Sequence, residues 1–181
     1  MKLTEVFVPK HEGLRWSKPV LISGGVVWII RAGLAVIFQP VYWDPQTPVE
    51  YAAVAGTSIA LFLLALGVWS IHRNRKPQGR LSKWTWNVGV FLVCGGAIVT
   101  GFSNFFEDWM GIEAFGDFYA LMLAVFVGLI LAGIGAIRAA DVSRWTGWLL
   151  IACALGLVMI DNGGGFIVGA SLILLGVLQR G

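Results

Sequence analysis

The chain has 181 residues, of which 57% are hydrophobic and 13% charged, with a formal net charge of +3 and a mean hydropathy of +0.80. Such a composition leaves too little polar surface to cover a water-soluble globule, so the chain reads as an integral membrane protein. Lys and Arg are confined to short segments flanking apolar spans rather than spread along a face among stacking aromatics, which argues against a nucleic-acid partner.

Residues 1–19, MKLTEVFVPKHEGLRWSKP, carry two acids and two prolines before any apolar run begins. They lack the short basic start and adjoining apolar stretch of a cleaved leader, and are expected to stay attached as a cytoplasmic segment. The first apolar span covers 20–39 and is ended by Pro40, with Pro45 and Pro48 close behind, because proline removes a donor and disfavours helix just before it. A second span covers 51–71. The segment 72–83, HRNRKPQGRLSK, follows as a basic cytoplasmic loop, with Arg73, Arg75, Lys76, Arg80 and Lys83 against no acid. A third span covers 84–103 and a fourth 118–137, each near the roughly 20 residues that a bilayer core demands. Spans 145–160 and 166–178 are shorter, and the DNGGG run at 161–165 between them is a turn signal. This last pair either crosses thinly or reaches only part-way.

With six spans and a cytoplasmic N-terminus, every Lys and Arg except Arg31 falls on the inner side. The outer side then holds Asp44, Glu50, Glu107, Asp108, Glu113, Asp117 and Asp161. That asymmetry is the signature of a threaded membrane protein with both termini cytoplasmic. Aromatics follow the same division. Trp16, Trp69, Trp84, Trp86, Trp145 and Trp148 fall at inner span ends, where an interfacial belt is expected, and Trp28 stands apart within the first span.

The starts of the odd-numbered spans share a chemistry: Arg15-Trp16-Ser17-Lys18, Ser82-Lys83-Trp84-Thr85-Trp86 and Ser143-Arg144-Trp145-Thr146-Gly147-Trp148. Their partners end on Leu66-Gly67-Val68, Ile134-Gly135-Ala136 and Leu175-Gly176-Val177. The expected fold is therefore all-α and polytopic, with six transmembrane helices arranged as three helical hairpins at 20–71, 84–138 and 145–180. On these Trp-led, Gly-punctuated segments, and on Pro40 just after the first span, the chain resembles the HdeD-like family of small bacterial membrane proteins over about residues 16–180. The second and third hairpins lack a proline matching Pro40. The resemblance implies an inner-membrane protein with a link to acid or envelope stress, and it brings no catalytic residues.

Arg31 is the sharpest candidate functional residue, since it sits near the middle of the first span. Insertion of Arg at a helix centre costs about 2.5–3.5 kcal/mol, so such a residue faces a bundle interior or water and finds a partner. No acid lies at matching depth, and Asp161, at the end of a short span, is the best carboxylate for it to reach outward to. The alternative is an arginine that snorkels outward and serves only threading or helix contact. Segment 104–117, NFFEDWMGIEAFGD, reads as a solvated interfacial loop. Small residues at four-residue spacing, such as Gly128-Ala132-Ala136 and Gly165-Gly169, read as faces for close packing within the chain. Cys94 and Cys153 read as inert packing residues. Ser23, Thr57, Ser58, Asn87, Thr100 and Ser171 are few enough to be satisfied by backbone or by each other. His11 and His72 have no second ligand at metal spacing, and no cofactor motif is present.

The expected function is that of a non-catalytic multi-pass protein of the cell membrane, envelope-related or an accessory subunit of a larger complex. The alternative is a small oligomeric transporter or channel using Arg31. Beyond the lipid bilayer, the expected partners are another membrane protein or further copies of the chain.

Overall fold

The computed structural model describes residues 14–39, 45–74, 79–111, 118–139 and 143–178, and no strand occurs among them. Six α-helices follow in order: α1 Leu14–Phe38, α2 Pro48–Asn74, α3 Arg80–Asn104, α4 Phe118–Arg138, α5 Arg144–Val158 and α6 Gly164–Leu178. The stretches long and apolar enough to cross a membrane are Trp16–Phe38, Pro48–Arg73, Arg80–Glu107 and Ala120–Arg138. Helices α5 and α6 have 15 residues each, about 22 Å at 1.5 Å per residue, against about 30 Å for a hydrocarbon core.

Local chemistry sets the ends. Helix α1 begins at Leu14, six residues ahead of the apolar run, with Pro19 inside it. It closes where Gln39 takes a positive φ of 44° and donates its amide to the Ala35 carbonyl at 3.1 Å, a left-handed stop immediately before a proline. Helix α2 opens on a capping box that the apolar pattern does not reveal. The Glu50 amide donates to Thr47 Oγ1 at 3.3 Å and the Thr47 amide to Glu50 Oε2 at 2.8 Å, with Pro48 in the first helical position, where a missing N–H costs least.

Two expected loops are largely helical. Of the basic segment 72–83, residues 72–74 belong to α2 and 80–83 to α3, and Gly79 between them has a φ of +90° that favours glycine. Residues 75–78 lie outside the described ones. The expected interfacial loop after Ser103 is instead a continuation of α3, since Phe105–Trp109 form a π-helical turn. The carboxylates there suggested a loop, but the Ser103 hydroxyl donates to Glu107 Oε1 at 3.0 Å, a bond along the helix that gives one acid a local partner. Residues 112–117 lie outside the described ones.

The helices form a closed ring. Each packs on its chain neighbours, and α6 returns to pack on α1. Several seams are backbone against backbone. A Cβ on Gly25 would lie 2.5 Å from the Gly169 carbonyl oxygen (α1 against α6), and one on Gly147 would lie 2.5 Å from that of Gly133 (α5 against α4). One on Gly89 would meet the Gly128 carbonyl oxygen at 2.7 Å and the Ala132 Cα at 2.8 Å (α3 against α4). Only glycine permits such approaches, and the small residues of α4 and α6 serve packing within the chain. The ring encloses Leu21, Trp28, Leu64, Trp86, Leu129, Leu150 and Leu172, all fully buried.

Candidate functional site

Arg31 lies on α1 with 3% of its surface exposed, and it is the only charged side chain in the buried interior among the described residues. Its aliphatic stem runs over α2, where a Cβ on Gly56 would touch Arg31 Cβ at 3.8 Å. The guanidinium then divides between two helices. Nε donates to Thr57 Oγ1 on α2 at 3.2 Å, and one terminal nitrogen donates to the Ile160 carbonyl at 2.9 Å. Thr57 passes the chain of bonds on, its own hydroxyl donating to the Ala53 carbonyl at 2.9 Å.

Ile160 can accept this bond because the helix has stopped. Helix α5 ends at Val158, residues Ile160–Asn162 make a single 3-10 turn, and Gly163 adopts φ +82° to start α6 in the reverse direction. The Met159 carbonyl takes the amides of Asn162 at 2.9 Å and Gly164 at 2.7 Å. The Ile160 carbonyl takes the guanidinium. A cation at a helix C-terminus also meets the negative end of the helix dipole, worth about 0.3–2 kcal/mol. Arg31 thus joins α1, α2 and the α5–α6 turn.

The expected partner of Arg31 was the Asp161 carboxylate. The Asp161 backbone lies in the 3-10 turn, one residue beyond the carbonyl that Arg31 reaches, and its side chain lies outside the described ones. The carbonyls of the turn are additional acceptors, and the DNGGG break is itself the signal that backbone acceptors come free at that depth. One turn before Arg31, Trp28 is fully buried, and its indole N–H has no hydrogen-bond partner among the described residues.

Two further polar links were not foreseen. Asn104, 4% exposed at the C-terminal end of α3, donates its amide to the Val54 carbonyl at 3.0 Å and to Ser58 Oγ at 2.9 Å, both on α2. Near the N-terminal end of α3, Trp86 is fully buried and its indole N–H donates to His72 Nδ1 at 2.9 Å. Trp86 therefore belongs to the core rather than to the interfacial belt, while Trp16, Trp69, Trp84, Trp145 and Trp148 stay exposed. Asn87 departs from expectation too, being exposed with no hydrogen bond among the described residues.

Cys94 and Cys153 are free thiols. Among the described residues no three His, Cys, Asp or Glu side chains gather as a metal site. Comparison with protein families, with curated proteins and with solved structures finds no match.

Proposed function

We propose that this chain is a non-catalytic multi-pass membrane protein with six spans, three hairpins and both termini cytoplasmic, acting through packing as an accessory subunit of a membrane complex or in envelope homeostasis. One observation carries the reading. The buried charge of Arg31 is engaged by the protein's own Thr57 hydroxyl and Ile160 carbonyl, so it acts as a tie between α1, α2 and the α5–α6 turn. A charge used in this way explains its cost without a substrate. The envelope variant of the reading draws on the resemblance to HdeD-like proteins, and the accessory variant on the lack of any chemical constellation in the sequence.

A second reading, a small oligomeric transporter or channel, draws on Trp28. Its buried N–H donor one turn from Arg31 is chemistry that a polar guest would complete.

Purification of the full chain in mild detergent, with and without Arg31→Leu, separates the two. The accessory reading expects a second membrane protein at stoichiometric ratio, and a folded Arg31→Leu variant whose association is weakened when the α1–α2–turn tie is lost. A homo-oligomer that moves a solute across vesicles, with transport abolished in a folded and assembled Arg31→Leu variant, overturns it in favour of transport.

A further inference from the structure

The outward face of α3 is ordered by depth. Arg80, Trp84, Asn87 and Phe91 follow at i, i+4, i+7 and i+11, one stripe of a helix, and all four are exposed, Trp84 at 59% and Phe91 at 76%. Lys83 is exposed beside them. At 1.5 Å per residue, Asn87 lies about 10 Å and Phe91 about 16 Å beyond Arg80 along the axis. The Ser82 hydroxyl donates to the Gly135 carbonyl at 2.7 Å, so α4 packs on the opposite side of α3, where Gly89 also meets it, and the stripe faces away from that seam. The two acids with described side chains, Glu50 and Glu107, lie at the opposite ends of α2 and α3 from this cluster.

Asn87 is the residue that lipid tails alone do not explain. An amide facing hydrocarbon with no partner costs several kcal/mol, and Asn87 has none among the described residues. It sits one turn inside Trp84, the depth at which glycerol ester carbonyls lie beneath phosphates. Those carbonyls accept hydrogen bonds from its NH2 group. Further along the face, a Cβ on Gly95 would find nothing within 4 Å, so the surface beside Phe91 is open to an acyl chain.

We propose that this face of α3 binds an anionic diacyl phospholipid: phosphate at Arg80 and Lys83, ester carbonyls at Asn87, and an acyl chain along Phe91 and Gly95. The proposal rests on α3 crossing a membrane. It selects by headgroup charge at the cations and by the glycerol backbone at Asn87.

The test uses the purified full chain in a neutral detergent, with lipid binding read by native mass spectrometry and by thermal shift. The probes are phosphatidylglycerol, phosphatidylcholine and glycerol 3-phosphate. Phosphatidylglycerol is expected to bind more tightly than phosphatidylcholine. Arg80→Gln with Lys83→Gln should weaken phosphatidylglycerol about 30-fold and remove the preference. Asn87→Leu should weaken both lipids several-fold and keep the preference. Lys18→Gln, on α1, which does not pack on α3, should change neither. Equal binding of the two lipids, a preference that survives the double variant, or competition by glycerol 3-phosphate as strong as that by phosphatidylglycerol overturns the proposal. A chain that does not float with phosphatidylcholine vesicles overturns both this proposal and the membrane placement beneath it.

Discussion

The two seams that α2 makes differ in kind from the seams around α4. Helix α2 is tied to α1 by Arg31 and Thr57, and to α3 by Asn104 near its own N-terminal end and by His72 with Trp86 near its C-terminal end. Helix α4 meets α3 and α5 through Gly128, Gly133 and Gly135, with backbone almost touching backbone, and the Ser82 hydroxyl reaches the Gly135 carbonyl only across that close approach. In lipid there is little hydrophobic drive to bring helices together, so association needs either very close packing or interhelical hydrogen bonds. This ring uses each where its residues allow. Large side chains such as Phe62 and Leu63 stand in the α2 seams, and polar links hold helices that cannot approach as closely.

The glycine seams should therefore be the least forgiving. Gly89→Ala places a methyl group against Ala132 and Gly128 backbone atoms at under 3 Å, which cannot be relieved by a rotamer change and forces the helices apart. A loss of about 2–3 kcal/mol is expected, read as a lower midpoint of thermal unfolding in detergent. Gly95→Ala, on the same helix but in open space, should instead raise stability by a few tenths to about 1 kcal/mol through helix propensity. Equal responses at the two positions would break the contrast between seams.

The hydrogen-bonded seam should respond more gently. Asn104→Leu removes two bonds to α2 and leaves the Val54 carbonyl with its helical partner only. Interhelical hydrogen bonds in membranes average about 0.6 kcal/mol and reach about 1.7, so the expected cost is about 1–1.5 kcal/mol, smaller than that of one methyl at Gly89. A double-mutant cycle with Ser58→Ala apportions it: coupling near zero would mean that the Val54 carbonyl carries the link.

Much of this was legible in the sequence, and the exceptions share a cause. Apolar run lengths marked the helices, four of them long and apolar enough to cross a membrane, because a membrane constrains length directly, and the four-residue spacing of Gly and Ala marked faces that do pack closely. Arg31 stood out because no apolar span hides a charge. Its backbone acceptor at Ile160 did not, because every residue carries a carbonyl and only a broken helix frees one at the needed depth. Trp86 and Trp84 are two residues apart with the same composition around them, yet a 200° turn of the helix sends one into the core and leaves the other at the surface. Segment 105–109 was misread for the same reason: composition suggested solvent, while the helix continued through it. Asn104 looked like a loop residue until that continuation placed it against α2.

Trp86 also supplies the smallest and most informative test of the contrast. Its indole donates to His72 Nδ1, and the rings lie nearly parallel with centroids 6.3 Å apart, so bonding and packing coincide at one place. Trp86→Phe removes the N–H and keeps an aromatic ring, whereas His72→Leu removes the acceptor and keeps bulk. If the bond ties α2 to α3 as Asn104 does, the pair should show a coupling of about 0.6 kcal/mol in a double-mutant cycle. Strictly additive effects would mean that the seam at His72 and Trp86 is held by ring packing alone. Helix α2 would then be tied to α3 by hydrogen bonds near its N-terminal end and by shape near its C-terminal end, and the division between bonded and packed seams would run within one helix rather than between two.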